Sequence, residues 1–269
     1  MHTTKLQTTK EWEQFLAGTL PGLRLGRSVF RLIPQAPRCK LCNAPFAGVG
    51  GRLMRLIGKV PWERNPRVCK FCGNWLLKKG PAGAEAELTL LFADVRGSTA
   101  LAANMTPSEY AGVINRFFRV GTDVFVRYEA ILDQLVGDEV IGLFLPGYAG
   151  ADHARKAIEA ACALLVATGH GPGRTPWIPI GVGVHTGLTF VGSVGSKDGF
   201  ITDFTAIGDS VNTTARLASA AAAGEILVSE ASSGAASLDV AELEERCLEL
   251  KGIPEPVGAR VLRSGPRFF

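Results

Sequence analysis

Two carboxylates stand where apolar runs come to an end. Leu88-Thr-Leu-Leu-Phe-Ala-Asp94-Val95-Arg-Gly97-Ser98-Thr99 reads as a strand that finishes on Asp94 and turns through Gly-Ser-Thr into a helix. Ile131-Leu-Asp-Gln134-Leu-Val-Gly137-Asp138-Glu-Val-Ile-Gly-Leu-Phe144 reads as two strands folded back at Gly-Asp, with Asp138 at the bend. Hard oxygen ligands of this kind suit magnesium, and two ions roughly 3.5–4 Å apart can share a carboxylate pair while bridging phosphates. Gly97, Ser98 and Thr99 open the next helix, where amides and dipole favour an anion. Either Asp alone would read as a cap or turn residue. The pair, on strands that neighbour one another, points to chemistry on a nucleoside triphosphate.

Other residues could join them. Asn212 and Arg216 are four apart, hence on one helical face, and an amide beside a guanidinium suits a ribose oxygen and a charged phosphate. A solvated polar face fits the same spacing. Cys39-Lys-Leu-Cys42 and Cys69-Lys-Phe-Cys72, 26 residues apart, offer four thiolates to one tetrahedral metal. Such a shell leaves no open position, so one zinc per chain there would be structural; disulfides are the competing use, disfavoured in a reducing cytosol. Cys162 and Cys247 read as ordinary buried cysteines.

The elements that must position these residues follow from periodicity. A capping box at Thr8–Glu11 opens a short helix with Trp12, Phe15 and Leu16 on one face, within an N-terminal segment 1–30. Residues 31–78 form a small loop-rich, Cys-bearing unit, and 79–85 a linker. From there the pattern is regular: strand Leu88–Val95, helix Thr106–Tyr128, hairpin Ile131–Val136 and Val140–Leu145, helix Asp152–Ala167, strand Ile178–His185. That is an α/β (α+β) chain with a ferredoxin-like βαββαβ core. A helix over Ser210–Ala222 and strands at Glu225–Val228, Leu248–Lys251 and Arg260–Leu262 complete a domain over 86–264.

Charge divides along the same line. Residues 1–80 hold 15 Lys/Arg against three acidic residues, and the remainder 14 against 22. The basic module suits an acidic partner, foremost the acidic module of its own chain or a partner subunit, ahead of a membrane face or nucleic acid. No apolar run is long enough to span a membrane and no secretory leader opens the chain, so a soluble cytoplasmic protein without membrane insertion is expected.

With Phe92-Ala-Asp94-Val-Arg-Gly97-Ser98-Thr99, Val136-Gly137-Asp138-Glu, Gly183-Val-His185-Thr-Gly187, Ile207-Gly208-Asp-Ser-Val-Asn212-Thr-Thr-Ala-Arg216 and Leu250-Lys251-Gly252 in order, residues 86–264 resemble the class III nucleotidyl cyclases, the adenylate/guanylate cyclase homology domain. The four-Cys unit also resembles one that precedes such domains in some bacterial chains. The resemblance implies two Mg²⁺ or Mn²⁺ per site, on Asp94, Asp138 and the Val95 carbonyl. It implies that Asn212 orients the ribose, Arg216 serves the transition state and Lys251 binds phosphate. His185 falls in a matching stretch with a structural role. The implied reaction makes a 3′,5′-cyclic monophosphate and pyrophosphate at the interface of a homodimer. Gln134 stands where adenylate cyclases of this family carry lysine, and Thr205 at its partner position. Glutamine can pair with adenine or, with its amide flipped, with guanine. ATP leads, with GTP or a pyrimidine nucleotide as alternatives. A catalytically silent regulator whose basic zinc module contacts nucleic acid or a partner is the opposing class.

Overall fold

The computed structural model describes residues 10–33, 37–39, 41–63, 66–78, 82–195 and 202–263. It divides into two compact units. One comprises Met1–Ala86, Leu145–Ala151 and Phe190–Ile207; the other comprises Glu87–Phe144, Asp152–Thr189 and Gly208–Phe269.

The second unit is built on a mostly antiparallel sheet. Its strands are β1 (Ala82–Val95, in greater part), β2 (Ile131–Val136), β3 (Glu139–Phe144), β4 (Ile180–Gly195, in greater part), β6 (Glu225–Ser229), β7 (Glu244–Leu248) and β8 (Val257–Arg263), in the order β2-β3-β1-β4-β6-β8-β7. The first four strands, with α5 (Ser98–Ala103) and α6 (Pro107–Arg127) after β1 and α8 (His153–Ala167) after β3, form the expected split βαββαβ unit. Thr106 caps α6 in a reciprocal capping box with Glu109, which fixes where that helix begins. Helix α8 buries His153, Ala154, Ala157, Ile158, Ala160, Ala161, Leu164 and Leu165, so small residues dominate the face it lays on the core. The strand side of that core is Leu88, Leu90, Leu91, Phe92 and Ala93, an apolar run interrupted only by the buried Thr89 and covered on both faces of β1.

Three boundaries differ from the sequence expectation. β1 begins at Ala82, inside the segment read as a linker; small residues there admit a close crossing, since a Cβ on Gly83 would lie 2.5 Å from the Val191 carbonyl oxygen. β4 runs on to Gly195 because β5 (Thr202–Ile207) pairs antiparallel with Phe190–Gly195. β7 precedes the expected Leu248–Lys251, and its Cys247 is exposed rather than buried, because β7 is an edge strand bonded to β8 alone.

The first unit holds α1 (residues 10–16), α2 (Pro21–Arg31), α3 (Gly48–Leu56), α4 (Lys70–Lys78) and α7 (Pro146–Ala149), together with β5 and the end of β4. Trp12, Phe15 and Leu16 of α1 are buried as their spacing predicts. Phe15 stacks on Trp75 of α4 at 4.9 Å between ring centroids, and Trp12 lies 5.5 Å from the same ring. Thr8 and Thr9 of the expected capping box lie outside the described residues.

Candidate active site and cysteine cluster

Strand register brings the two carboxylates together. Asp94 pairs with Glu139 across β1 and β3, and the Val95 N–H donates to the Asp138 carbonyl at 3.3 Å. Both Asp side chains are half-buried. The Asp94 carboxylate is ion-paired with the guanidinium of Arg96, which also donates to the Ser219 carbonyl at 2.7 Å. Burial lowers the Arg96 pKa, against the opposing pull of the Asp138 and Glu139 charges. Glu139 is pushed up by burial and then by the Asp138 charge. Asp94 thus pairs directly with Arg96, and the charges of Asp138 and Glu139 act on the same guanidinium. Partly exposed carboxylate oxygens such as those of Asp94 and Asp138 are the ligand type a divalent cation takes. After them Gly97 takes the left-handed backbone (φ +67°) that starts α5, leaving Gly97 and Thr99 exposed and Ser98 half-buried.

The second set is carried by α9 (Asp209–Ala220), and glycines on β4 decide how closely that helix sits. A Cβ on Gly181 would lie 2.6 Å from the Ala221 carbonyl oxygen, on Gly183 2.4 Å from the Ala218 nitrogen, and on Gly187 2.5 Å from Ser210 Oγ. Alternate residues of a strand share a face, so these three open one flat side of β4 to the helix backbone. Leu217 of α9 and Ala221 just past its end join Leu227, Leu250, Ala259 and Val261 in one buried cluster, with Ile253 packed against it. Leu250 and Ile253 flank Lys251, so the cluster that seats α9 also anchors the lysine's turn. With Thr213, Thr214, Leu217 and Ala218 buried, Asn212 and Arg216 are left on the exposed face. Asn212, Arg216 and Lys251 are all exposed, and their side chains make no hydrogen bond or ion pair among the described residues.

The base-reading pair is less closely drawn. Gln134 lies in β2 at an irregularity, where the pairing with β3 shifts register between Leu132 and Leu135; its side chain lies outside the described residues. Thr205 sits in β5 opposite Gly192, half-buried, in the first unit rather than with Asn212 and Arg216. His185 bonds Ser229 Oγ through Nδ1 at 2.9 Å, and burial lowers its pKa, as fits a neutral structural imidazole. Beside it runs a buried chain that sequence reading missed: His153 Nδ1 to Thr89 Oγ1 at 2.9 Å, Thr89 to Thr186 at 2.8 Å, and Thr186 to Ser232 at 2.9 Å. Its members lie on β1, α8, β4 and α10 (Glu230–Ala236), with no local spacing to announce them.

In the first unit the four cysteines meet as their spacing predicts. All are buried and their Sγ atoms lie within 4.8 Å of one another. A tetrahedral zinc with Zn–S near 2.3 Å needs sulfur–sulfur edges of about 3.8 Å, and Cys42 Sγ lies 3.8 Å from Cys69 Sγ. Backbone turns hold the knuckles: the Cys39 N–H donates to the Ala44 carbonyl at 2.8 Å, and the Cys69 N–H donates to Cys39 Sγ at 3.3 Å. Cys39 donates to Cys42 and Cys69, which lowers both, Cys69 to about 7, and raises its own pKa. Lys59 Nζ approaches Cys42 Sγ at 3.7 Å. Cys162 is partly buried, its thiol raised to about 11 by burial.

Residues 81–255 match the sequence profile of the adenylate and guanylate cyclase catalytic domain, and the chain belongs to that family. Uncharacterized protein Rv1318c of Mycobacterium tuberculosis is 30% identical over 189 residues, 65% of this chain and 32% of its own length. The chain therefore spans about a third of such curated relatives. Among solved structures, the adenylyl cyclase CyaB from P. aeruginosa is similar over 70% of this chain and 98% of that one, at 28% identity and a TM-score of 0.59. The guanylyl cyclase Cya2 is similar over 66% and 92%, at 28% identity and the same TM-score. The fold and the family are those of a nucleotidyl cyclase catalytic domain. Among the described residues no helix is long and apolar enough to cross a membrane.

Proposed function

We propose that this chain converts a nucleoside triphosphate, ATP first, to its 3′,5′-cyclic monophosphate and pyrophosphate at a site shared between two copies. One observation carries the reading. Asp94 and Asp138 converge at two neighbouring strand ends, while Asn212, Arg216 and Lys251 face solvent with side chains unengaged among the described residues. Two Mg²⁺ or Mn²⁺ ions, held by Asp94, Asp138 and the Val95 carbonyl, would supply Lewis acidity toward the 3′-hydroxyl and the triphosphate. The amides of Gly97–Thr99 cradle phosphate. Asn212 fixes the ribose so that its 3′-oxygen lies in line with the α-phosphate. Arg216 meets the charge that grows on that phosphate as the new bond forms, and Lys251 meets the departing pyrophosphate. Gln134 and Thr205 read the base. Similar structures include both an adenylyl and a guanylyl cyclase, and an amide facing the base serves either purine. The four-thiolate cluster holds one structural zinc. A cytoplasmic setting fits free thiols, nucleoside triphosphate and magnesium alike.

The test is direct. Purified chain is incubated with each of the four triphosphates and Mn²⁺ or Mg²⁺, and products are identified by mass. A cyclic monophosphate from ATP above the other three is expected. Tight triphosphate binding without any cyclic product would make the chain a silent cyclase-fold regulator.

A further inference from the structure

The N-terminal module carries a surface that the cyclase reaction does not use. Between Gln14 and Trp62 stand eight Lys/Arg and no Asp or Glu. On the same stretch large aliphatic side chains face solvent in helical register. Leu25, Val29 and Leu32 run along and just past α2 at i, i+4 and i+7; Val49, Leu53, Leu56 and Ile57 do the same on α3. Each is at least half exposed, and Leu32 and Leu56 reach 80% and 82%. Cations alternate with them: Arg24, Arg27 and Arg31 in the sequence of α2, and the exposed Arg52 and Arg55 on α3. Leu25 and Val29 also rim an apolar cavity of about 470 Å³ beside Phe71, whose ring lies 4.5 Å under Lys59 Nζ.

We propose that α2 and α3 form a peripheral docking surface for an anionic phospholipid bilayer, with the aliphatic stripes reaching the acyl boundary and the arginines meeting lipid phosphates. Aliphatic stripes bordered by Arg on short helices are the signature of interfacial adsorption, distinct from a spanning segment. Charge and apolarity together choose the partner. Nucleic acid would engage the cations and leave Leu32, Leu53, Leu56 and Ile57 in water, since aliphatic groups do not stack on bases as aromatic ones do. A second copy of the same face would bring the exposed Arg52 and Arg55 of α3 up against like charge with no carboxylate between Gln14 and Trp62 to offset it. A free fatty acid in the cavity would leave Leu32 and all of α3's stripe uncovered, because none of them lines it.

The experiment uses the full chain and flotation with vesicles of phosphatidylcholine alone or of phosphatidylcholine with about 30% phosphatidylglycerol. Binding to the anionic vesicles should be at least about tenfold tighter, and weaken severalfold between about 0.1 and 0.5 M salt. Leu32→Ser with Leu56→Ser, both on the outer surface, should lower affinity by about tenfold or more with an unchanged circular dichroism spectrum. Arg52→Ala with Arg55→Ala should narrow the preference for anionic vesicles. Failure of the folded wild-type chain to float with anionic vesicles overturns the proposal, as does equal binding to both vesicle types. So does binding that ignores the leucine variants, or a DNA duplex that displaces the vesicles and binds those variants undiminished.

Discussion

Asp94→Ala and Arg216→Ala proteins should each be nearly inactive alone and should restore one another when mixed. Removing a metal-binding carboxylate or the group that meets developing phosphate charge costs at least about a hundredfold, so each variant leaves about 1% of the wild-type rate or less. At equal amounts and free exchange, half of the dimers are heterodimers. In each of these one site lacks both groups and the other is intact. About a quarter of wild-type activity should return, far above the single-variant background. The structure also supplies a rival geometry. Arg96 bonds the Ser219 carbonyl of its own chain, and Ser219 is one turn beyond Arg216 on the same helical side, so a site closed within one chain is the natural competitor. Exchange is verified by pull-down through two different tags, and cyclic product is then measured per total chain. Recovery staying at the background of the single variants, with exchange proven, would refute the shared site.

Purified chain should hold close to one zinc, measured by metal analysis, and Cys39→Ser or Cys69→Ser should release it and increase proteolysis within residues 31–78; two disulfides and no zinc would contradict this. Gln134→Lys should sharpen preference for ATP over GTP, because an ammonium donates to adenine N1 but cannot accept from guanine N1–H; an unchanged ratio would remove Gln134 from the base pocket. Glu225, buried and paired with Arg246 at 2.8 Å and with Arg263, has its carboxyl held down to about 2 by the Arg246 hydrogen bonds first. A carboxylate depressed in the folded state contributes stability fully above its unfolded pKa and loses it as pH falls. Chemical denaturation should therefore show wild type losing about 2 kcal/mol more than Glu225→Gln between pH 5 and 2, a figure discounted for the exposure of Arg263. Parallel pH curves would dismiss the pair.

The parts legible from sequence are those written in local period and in motif order. The apolar run into Asp94, the Gly137-Asp138 bend and the Cys-x-x-Cys knuckles each declare themselves within a dozen residues. The expected split βαββαβ order matches the observed pairing of β1 with β3 and of β3 with β2. What stayed hidden is what depends on distant partners. β5 is a strand because β4 runs past Phe190 to meet it, not because Thr202–Ile207 alternates strongly. Helices α2 and α3 carry glycine at 22, 26, 48, 50 and 51, which lowers helix propensity and reads as loop. Cys247, beside a late strand in sequence, is expected to be buried, yet it lies exposed on an edge strand bonded to β8. Arg96, between Asp94 and the end of α9, carried no signal beyond its place in the Asp94 loop.

Turnover with a defined stoichiometry is the most direct measurement of the two-carboxylate reaction. Wild-type chain given ATP and Mn²⁺ should release cyclic monophosphate and pyrophosphate in equal amounts, with the rate falling at least about a hundredfold in both Asp94→Ala and Asp138→Ala. Near-normal rates in those two variants, or phosphate release without cyclic product from the wild type, would contradict it.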